Sequence, residues 1–78
     1  MESEHIKIWL ELAEKLAASN YDGHLTIMRW TTGWKAMFGT PDLDSGDGRN
    51  EVRELPMHPA LSKALREIVI AELDRGPR

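Results

Sequence analysis

Three histidines, three tryptophans and a run of acidic residues carry what chemistry this chain could do. His5, His24 and His58 are the side chains whose ordinary titration falls near neutrality, so each is a candidate base or ligand. They fall at the start of a helix, the start of a strand and the cap of a second helix. None pairs with another at helical spacing, and no serine–histidine or cysteine–histidine arrangement accompanies them, so each reads as structural. Asp42, Asp44 and Asp47 suggest a calcium loop, because hard cations take several oxygens on a tight turn. The spacing fails: counting from Asp42 puts Gly46 where a ligand belongs, Asp47 where the turn glycine belongs and Arg53 where the bidentate glutamate belongs. Gly46-Asp47-Gly48 is acidic and precedes no helix in this reading, the opposite of a phosphate cradle. The expectation is a protein with no catalytic residue, no metal and no cofactor, and with a binding role rather than an enzymatic one.

The elements that would position these residues are legible from periodicity. From Ile6 to Ser19, the residues Ile6, Ile8, Trp9, Leu10, Leu12, Ala13, Leu16 and Ala17 share one broad helical arc. Lys7, Glu11, Glu14 and Lys15 fill the other, with Ser3 as the N-cap and Asn20, Asp22 and Gly23 as the stop. From His24 to Phe38 the chain is rich in Thr, Ile, Trp, Met and Phe, which predicts a hairpin. Placing its turn at Thr32-Gly33 sets Thr31 opposite Trp34, Arg29 opposite Ala36 and Ile27 opposite Phe38. Residues 39–50, GTPDLDSGDGRN, read as a flexible acidic loop. Glu51 to Leu55 alternates weakly and stops at Pro56, which predicts a short third, edge strand. A final helix runs from Pro59 to about Leu73, with Leu61, Ala64, Leu65, Ile68, Val69 and Ala71 inward. The predicted architecture is one small α+β domain over residues 1–78, helix–hairpin–short strand–helix (αβββα), with an antiparallel sheet packed on helices.

The hairpin pattern separates two faces. Leu25, Ile27, Arg29, Thr31, Trp34, Ala36 and Phe38 form the more apolar one, assigned to the helices, and Trp9 and Trp34 are read as core. His24, Thr26, Met28, Trp30, Lys35 and Met37 form the other. Two helices cover both faces of a sheet with difficulty. Met28, Trp30, Lys35 and Met37 are therefore candidate partner-binding residues, with the Lys35 ammonium over the Trp30 ring. The alternative is a flipped sheet, or the final helix crossing that face. Ile70 and Leu73 fall on the polar side of the last helix and are candidates for self-association, which would make a homodimer.

Composition narrows the partner. Thirteen acidic and ten basic residues give a net charge of −3, which opposes non-specific attraction to phosphate backbones. Direct nucleic-acid binding is not expected. An acidic surface around an apolar patch suits instead a protein partner whose own surface is basic. There is no cysteine to staple a chain of 78 residues, and a domain this small buries roughly 60% of what its unfolded chain exposes. Residues 1–5 lack the basic start of a signal peptide and no run reaches a membrane span, so a cytoplasmic location is expected.

The helix–strand–strand–strand–helix order resembles the double-stranded-RNA-binding domain. That resemblance implies phosphate-reaching lysines at the start of the second helix, where Pro59-Ala60-Leu61-Ser62-Lys63 supplies one lysine. The segment GHLTIMRWTTGWKAMFGTPD, residues 23–42, is similar to segments of small proteins from alphaproteobacteria and their phages. A short, acidic chain of this kind also resembles anti-CRISPR inhibitors of type I systems, type I-C among them. The resemblance implies a protein that occupies basic nucleic-acid-binding surfaces of a CRISPR surveillance complex or blocks nuclease recruitment. A small nucleic-acid-binding module and a homodimer with no further partner are the alternatives.

Overall fold

A computed structural model describes residues 2–42 and 46–76 of the chain, with side chains from residue 6 onward. Leu43, Asp44 and Ser45, read above as part of the acidic loop, lie outside the described residues. The elements are α1 (Glu2–Asn20), β1 (Leu25–Trp30), β2 (Gly33–Phe38), α2 (Gly48–Glu54) and α3 (Leu61–Arg75). The expected α+β class holds: three helices accompany a two-stranded antiparallel sheet.

Helix α1 is built from strong helix formers, and its end is reversed by two residues in the left-handed region. Asp22 has φ 57° and Gly23 φ 85°, and both Tyr21 and Gly23 donate their N–H groups to the Ala17 carbonyl at 2.8 Å. The reversal feeds straight into β1. The hairpin turns at Thr31-Thr32, one residue earlier than the spacing suggested, so that Trp30 pairs with Gly33, Arg29 with Trp34 and Leu25 with Phe38. This register differs from the expected one by two residues. A two-residue slip keeps every side chain on its face, so the predicted division into two faces stands.

The third strand expected at Glu51–Leu55 is absent; helix α2 occupies Gly48–Glu54 instead, and the loop correspondingly ends before Gly48. Weak alternation over five residues does not outweigh a stretch of Arg and Glu with Glu51 in the first turn and Arg53 in the last, where they suit the helix dipole. Gly48 is buried and its N–H donates to the Asp42 carbonyl at 2.8 Å; a Cβ there would lie 2.6 Å from that oxygen. What remains of a third strand is one bridge, in which Trp34 N–H donates to His58 O at 2.7 Å and His58 N–H to Trp34 O at 2.9 Å. Extending that ladder antiparallel would set Pro56 across from Ala36, and proline has no N–H to give. His58 is thus a bridge residue and not a helix cap; Ala60 precedes α3.

Helices α1 and α3 pack against each other and against one face of the hairpin. The core is small: Ala13, Ala36, Ala64, Leu65 and Val69 are buried, and Trp9, Leu10, Leu16, Leu25, Trp34, Phe38, Leu61 and Ile68 close around them. Three alanines, one from each packed element, let the backbones approach while leaving little side-chain volume to bury. Leu65 and Val69 are the only large side chains fully buried among the described residues. Ile8 and Leu12, expected on the inner arc of α1, are exposed, because the buried stripe centres on Ala13 and Ala17. Ala71, expected inward on α3, is exposed as well. Its inner position goes to Glu72, which is 4% exposed and accepts from Tyr21 Oη at 2.7 Å and Asn20 Nδ2 at 2.9 Å. Tyr21 also stacks on Phe38, ring centres 5.0 Å apart, so one residue ties the end of α1 to the sheet and to α3.

Candidate functional site

On the hairpin face away from α1 and α3, residues 48–57 fold back over the sheet. Lys35 projects from β2 on this face and is 8% exposed. Its ammonium donates to the Val52 carbonyl at 2.7 Å, which also accepts the Leu55 N–H at 3.2 Å, and to the Arg53 carbonyl at 3.4 Å, both at the end of α2. The same ammonium lies 5.4 Å from the centre of the Trp30 ring. Lys35 therefore joins hairpin, helix and aromatic wall, and its charge is spent inside the protein.

Between α2 and the hairpin runs an open cavity of about 600 Å³. Trp30 and Met57 stand at its margins, 42% and 40% exposed. Pro41, Gly48 and Val52 supply further apolar wall, and Arg49 and Arg53, one helical turn apart on α2, bring guanidinium groups to its rim. Both arginines are exposed, and neither has a carboxylate partner among the described residues. Glu51, which lies between them in sequence, accepts instead from the Asp42 N–H at 3.2 Å. The result is an apolar, aromatic-edged recess with a cationic rim on a chain whose net charge is −3. Such a recess accepts an apolar side chain and rewards a carboxylate placed beside it.

Of the four residues expected to meet a partner, Trp30 and Lys35 come together here. Met28 and Met37 do not line this cavity; both are half-buried, and Met37 lines a separate one of about 380 Å³ with Phe38, Leu55 and Ile68. Arg49, Arg53, Val52 and Met57 were missed. Arg49 and Arg53 are four apart, a helical signal, but the first lay in a stretch read as loop and the second in one read as strand. Ile70 and Leu73 are exposed as expected, 38% and 61%. Leu73 shares a shallow cavity of about 270 Å³ with Leu16, and Leu12 and Ile8 continue that line along α1.

The other candidates stay apart. His24 is exposed, His58 is half-buried with its backbone in the bridge to Trp34, and the His5 side chain lies outside the described residues. Asp47 precedes α2 and its carboxylate accepts from Asn50 Nδ2 at 3.4 Å. Among the described residues no three His, Asp or Glu side chains gather in a way that could hold a metal ion, and no helix is long and apolar enough to cross a membrane. No family model, curated protein or solved structure matches the chain.

Proposed function

We propose that the chain is a non-enzymatic protein-binding module of the anti-CRISPR type, docking through the recess between α2 and the hairpin. One observation carries this reading: Trp30, a residue whose burial contributes heavily to binding, stands 42% exposed at the edge of an open apolar recess. Arg49 and Arg53 give the partner segment its chemistry, an apolar side chain flanked by a carboxylate. The partner surface that meets this recess is accordingly acidic, while the basic surface expected from net charge would have to meet another face. For an inhibitor of a type I surveillance complex, that favours obstruction of a protein–protein contact such as nuclease recruitment over occupation of a basic nucleic-acid groove.

The test is capture by the tagged protein from cells carrying a type I surveillance complex, with Trp30→Ala/Arg53→Glu as the paired variant. Stoichiometric recovery of surveillance subunits by the wild type, lost in a variant with an unchanged circular dichroism spectrum, supports the reading. Equal recovery by both removes this recess as the docking site, and no recovery by either removes that complex as the partner.

A second reading rests on the same side chains, because an exposed tryptophan beside two arginines with no carboxylate partner among the described residues also suits a stacked base of a single strand. The net charge of −3 weighs against it. Retardation of single-stranded oligonucleotides at low salt, abolished by Trp30→Ala, would favour it. Double-stranded RNA is supported less: the third strand of that element order is absent, and Lys63 is the lysine available at the start of α3.

A further inference from the structure

Antiparallel pairing alternates, so every second residue of a strand turns its N–H and C=O away from its neighbour. The Gly39 N–H donates to His24 O at 2.8 Å across the hairpin, and Trp34 turns outward to His58, which fixes the alternation. On β1 the outward residues are therefore Leu25, Ile27 and Arg29. None of their backbone groups has a hydrogen-bond partner among the described residues. The two strands differ in exposure accordingly: Ile27, Arg29 and Trp30 of β1 are exposed, whereas no residue of β2 is.

Open edges are ordinarily blunted by proline, a bulge or an inward charge. Strand β1 has no proline and no bulge: its six residues, Leu-Thr-Ile-Met-Arg-Trp, pair with β2 without interruption. Its single charge, Arg29, lies over the Trp34 ring at 5.1 Å. We propose that this edge pairs with the β1 strand of a second copy, joining two hairpins into one four-stranded antiparallel sheet about a two-fold axis at Ile27.

The strand is self-complementary in that register. Ile27 meets Ile27 of the second copy, covering a side chain that is 38% exposed in the single chain. Leu25 meets Arg29, so the one charge never faces its own copy, and all three outward residues find partners. A second copy also supplies what the single chain lacks, since among the described residues only two large side chains are fully buried and no cysteine cross-links the chain. This pairing is independent of the recess, which lies on a sheet face and not on this edge.

Sedimentation velocity over a range of concentrations tests it, with two variants and one exchange measurement. The wild type is expected to shift from one chain to two. Ile27→Lys places two ammonium groups together at the axis and should raise the dissociation constant by at least about tenfold with the circular dichroism spectrum unchanged. Leu73→Glu, on the helix surface, should leave the dimer intact. A wild type that stays monomeric, an Ile27→Lys protein that dimerises normally, or a dimer abolished by Leu73→Glu overturns the proposal. Hydrogen exchange of the wild type decides the matter should Ile27→Lys fail to fold. Protection of the Ile27 and Arg29 amides that grows with protein concentration supports edge pairing, and fast exchange at every concentration overturns it.

Discussion

The Lys35 ammonium lies 2.7 Å from the Val52 carbonyl oxygen and 5.4 Å from the centre of the Trp30 ring. A single charged group thus caps the C-terminal end of α2, holds that helix over the hairpin and orients the aromatic wall of the recess. Helix α2 has seven residues, too few to persist in water by itself. Its position depends on this cap, on Gly48 against Pro41 and Asp42, and on Val52 over the sheet.

Replacing Lys35 by Met keeps most of the apolar stem and removes the ammonium, leaving the Val52 and Arg53 carbonyls without that donor. The expected loss is about 1–3 kcal/mol, the range for withdrawing a charged donor from part-buried acceptors, of which the Val52 carbonyl keeps the Leu55 N–H. Urea denaturation measures it. Amide exchange should accelerate across residues 48–55 more than in β1 and β2. A uniform acceleration would mean that Lys35 stabilises the whole domain and not the seat of α2.

Tyr21 and Glu72 meet at 2.7 Å although they are 51 residues apart, and Glu72 is nearly sealed from water. Tyr21→Phe preserves the ring that stacks on Phe38 while deleting the hydroxyl, and Glu72→Gln preserves shape while deleting the charge. Each single change is expected to cost about 1–3 kcal/mol, with a coupling of about 1 kcal/mol or more in the double-mutant cycle. Zero coupling would show that the two side chains contribute separately. Arg75, 3.7 Å from Glu72 with its side chain 60% exposed, should matter little, so Arg75→Ala serves as the near-neutral control.

How far the sequence foretells this molecule depends on the length over which a pattern persists. Helices α1 and α3 and the hairpin each repeat their period often enough to be read, and the two hairpin faces emerged correctly even with the pairing displaced by two. Residues 48–55 have room for only two helical turns, and their helix is selected by tertiary partners: the Lys35 cap and the close approach of Gly48 to Asp42. Local propensity there, with Arg49, Glu51, Arg53 and Glu54, favours a helix but over too few residues to be decisive, and with α2 unread, Arg49, Arg53 and Met57 went unconnected to Trp30. The same limit applies to Lys35. Placing it on the outer face was sound, but its burial depends on a helix that only the folded chain supplies.

The core prediction sets Leu65 against Leu73. Leu65 is fully buried, so Leu65→Ala is expected to cost about 2–5 kcal/mol from lost burial and the cavity left behind. Leu73 is 61% exposed, and Leu73→Ala should change stability by less than about 0.5 kcal/mol. Paired thermal or urea unfolding curves measure both at low protein concentration. A large effect of Leu73→Ala there would reveal that the exposed line it forms with Leu16, Leu12 and Ile8 is covered in solution.

Gly33 and Gly23 separate two reasons for a glycine. Gly23 has φ 85° with open space around it, so Gly23→Ala costs only the left-handed backbone, about 1–2 kcal/mol. Gly33 is different: its φ of 158° is close to extended, but a Cβ there would run into the His58 carbonyl oxygen, with Met57 Cγ at 3.1 Å. A carbonyl bonded to the Trp34 N–H cannot swing away without breaking the one bridge that closes the outer edge of β2. Gly33→Ala is therefore expected to cost about 1–3 kcal/mol through overpacking. It should also accelerate exchange at the Trp34 and His58 amides and displace Met57 from the recess beside Trp30. Gly23→Ala should leave those amides as they are. Matching exchange at the bridge in the two variants would show that contact with His58 is not what requires glycine at position 33.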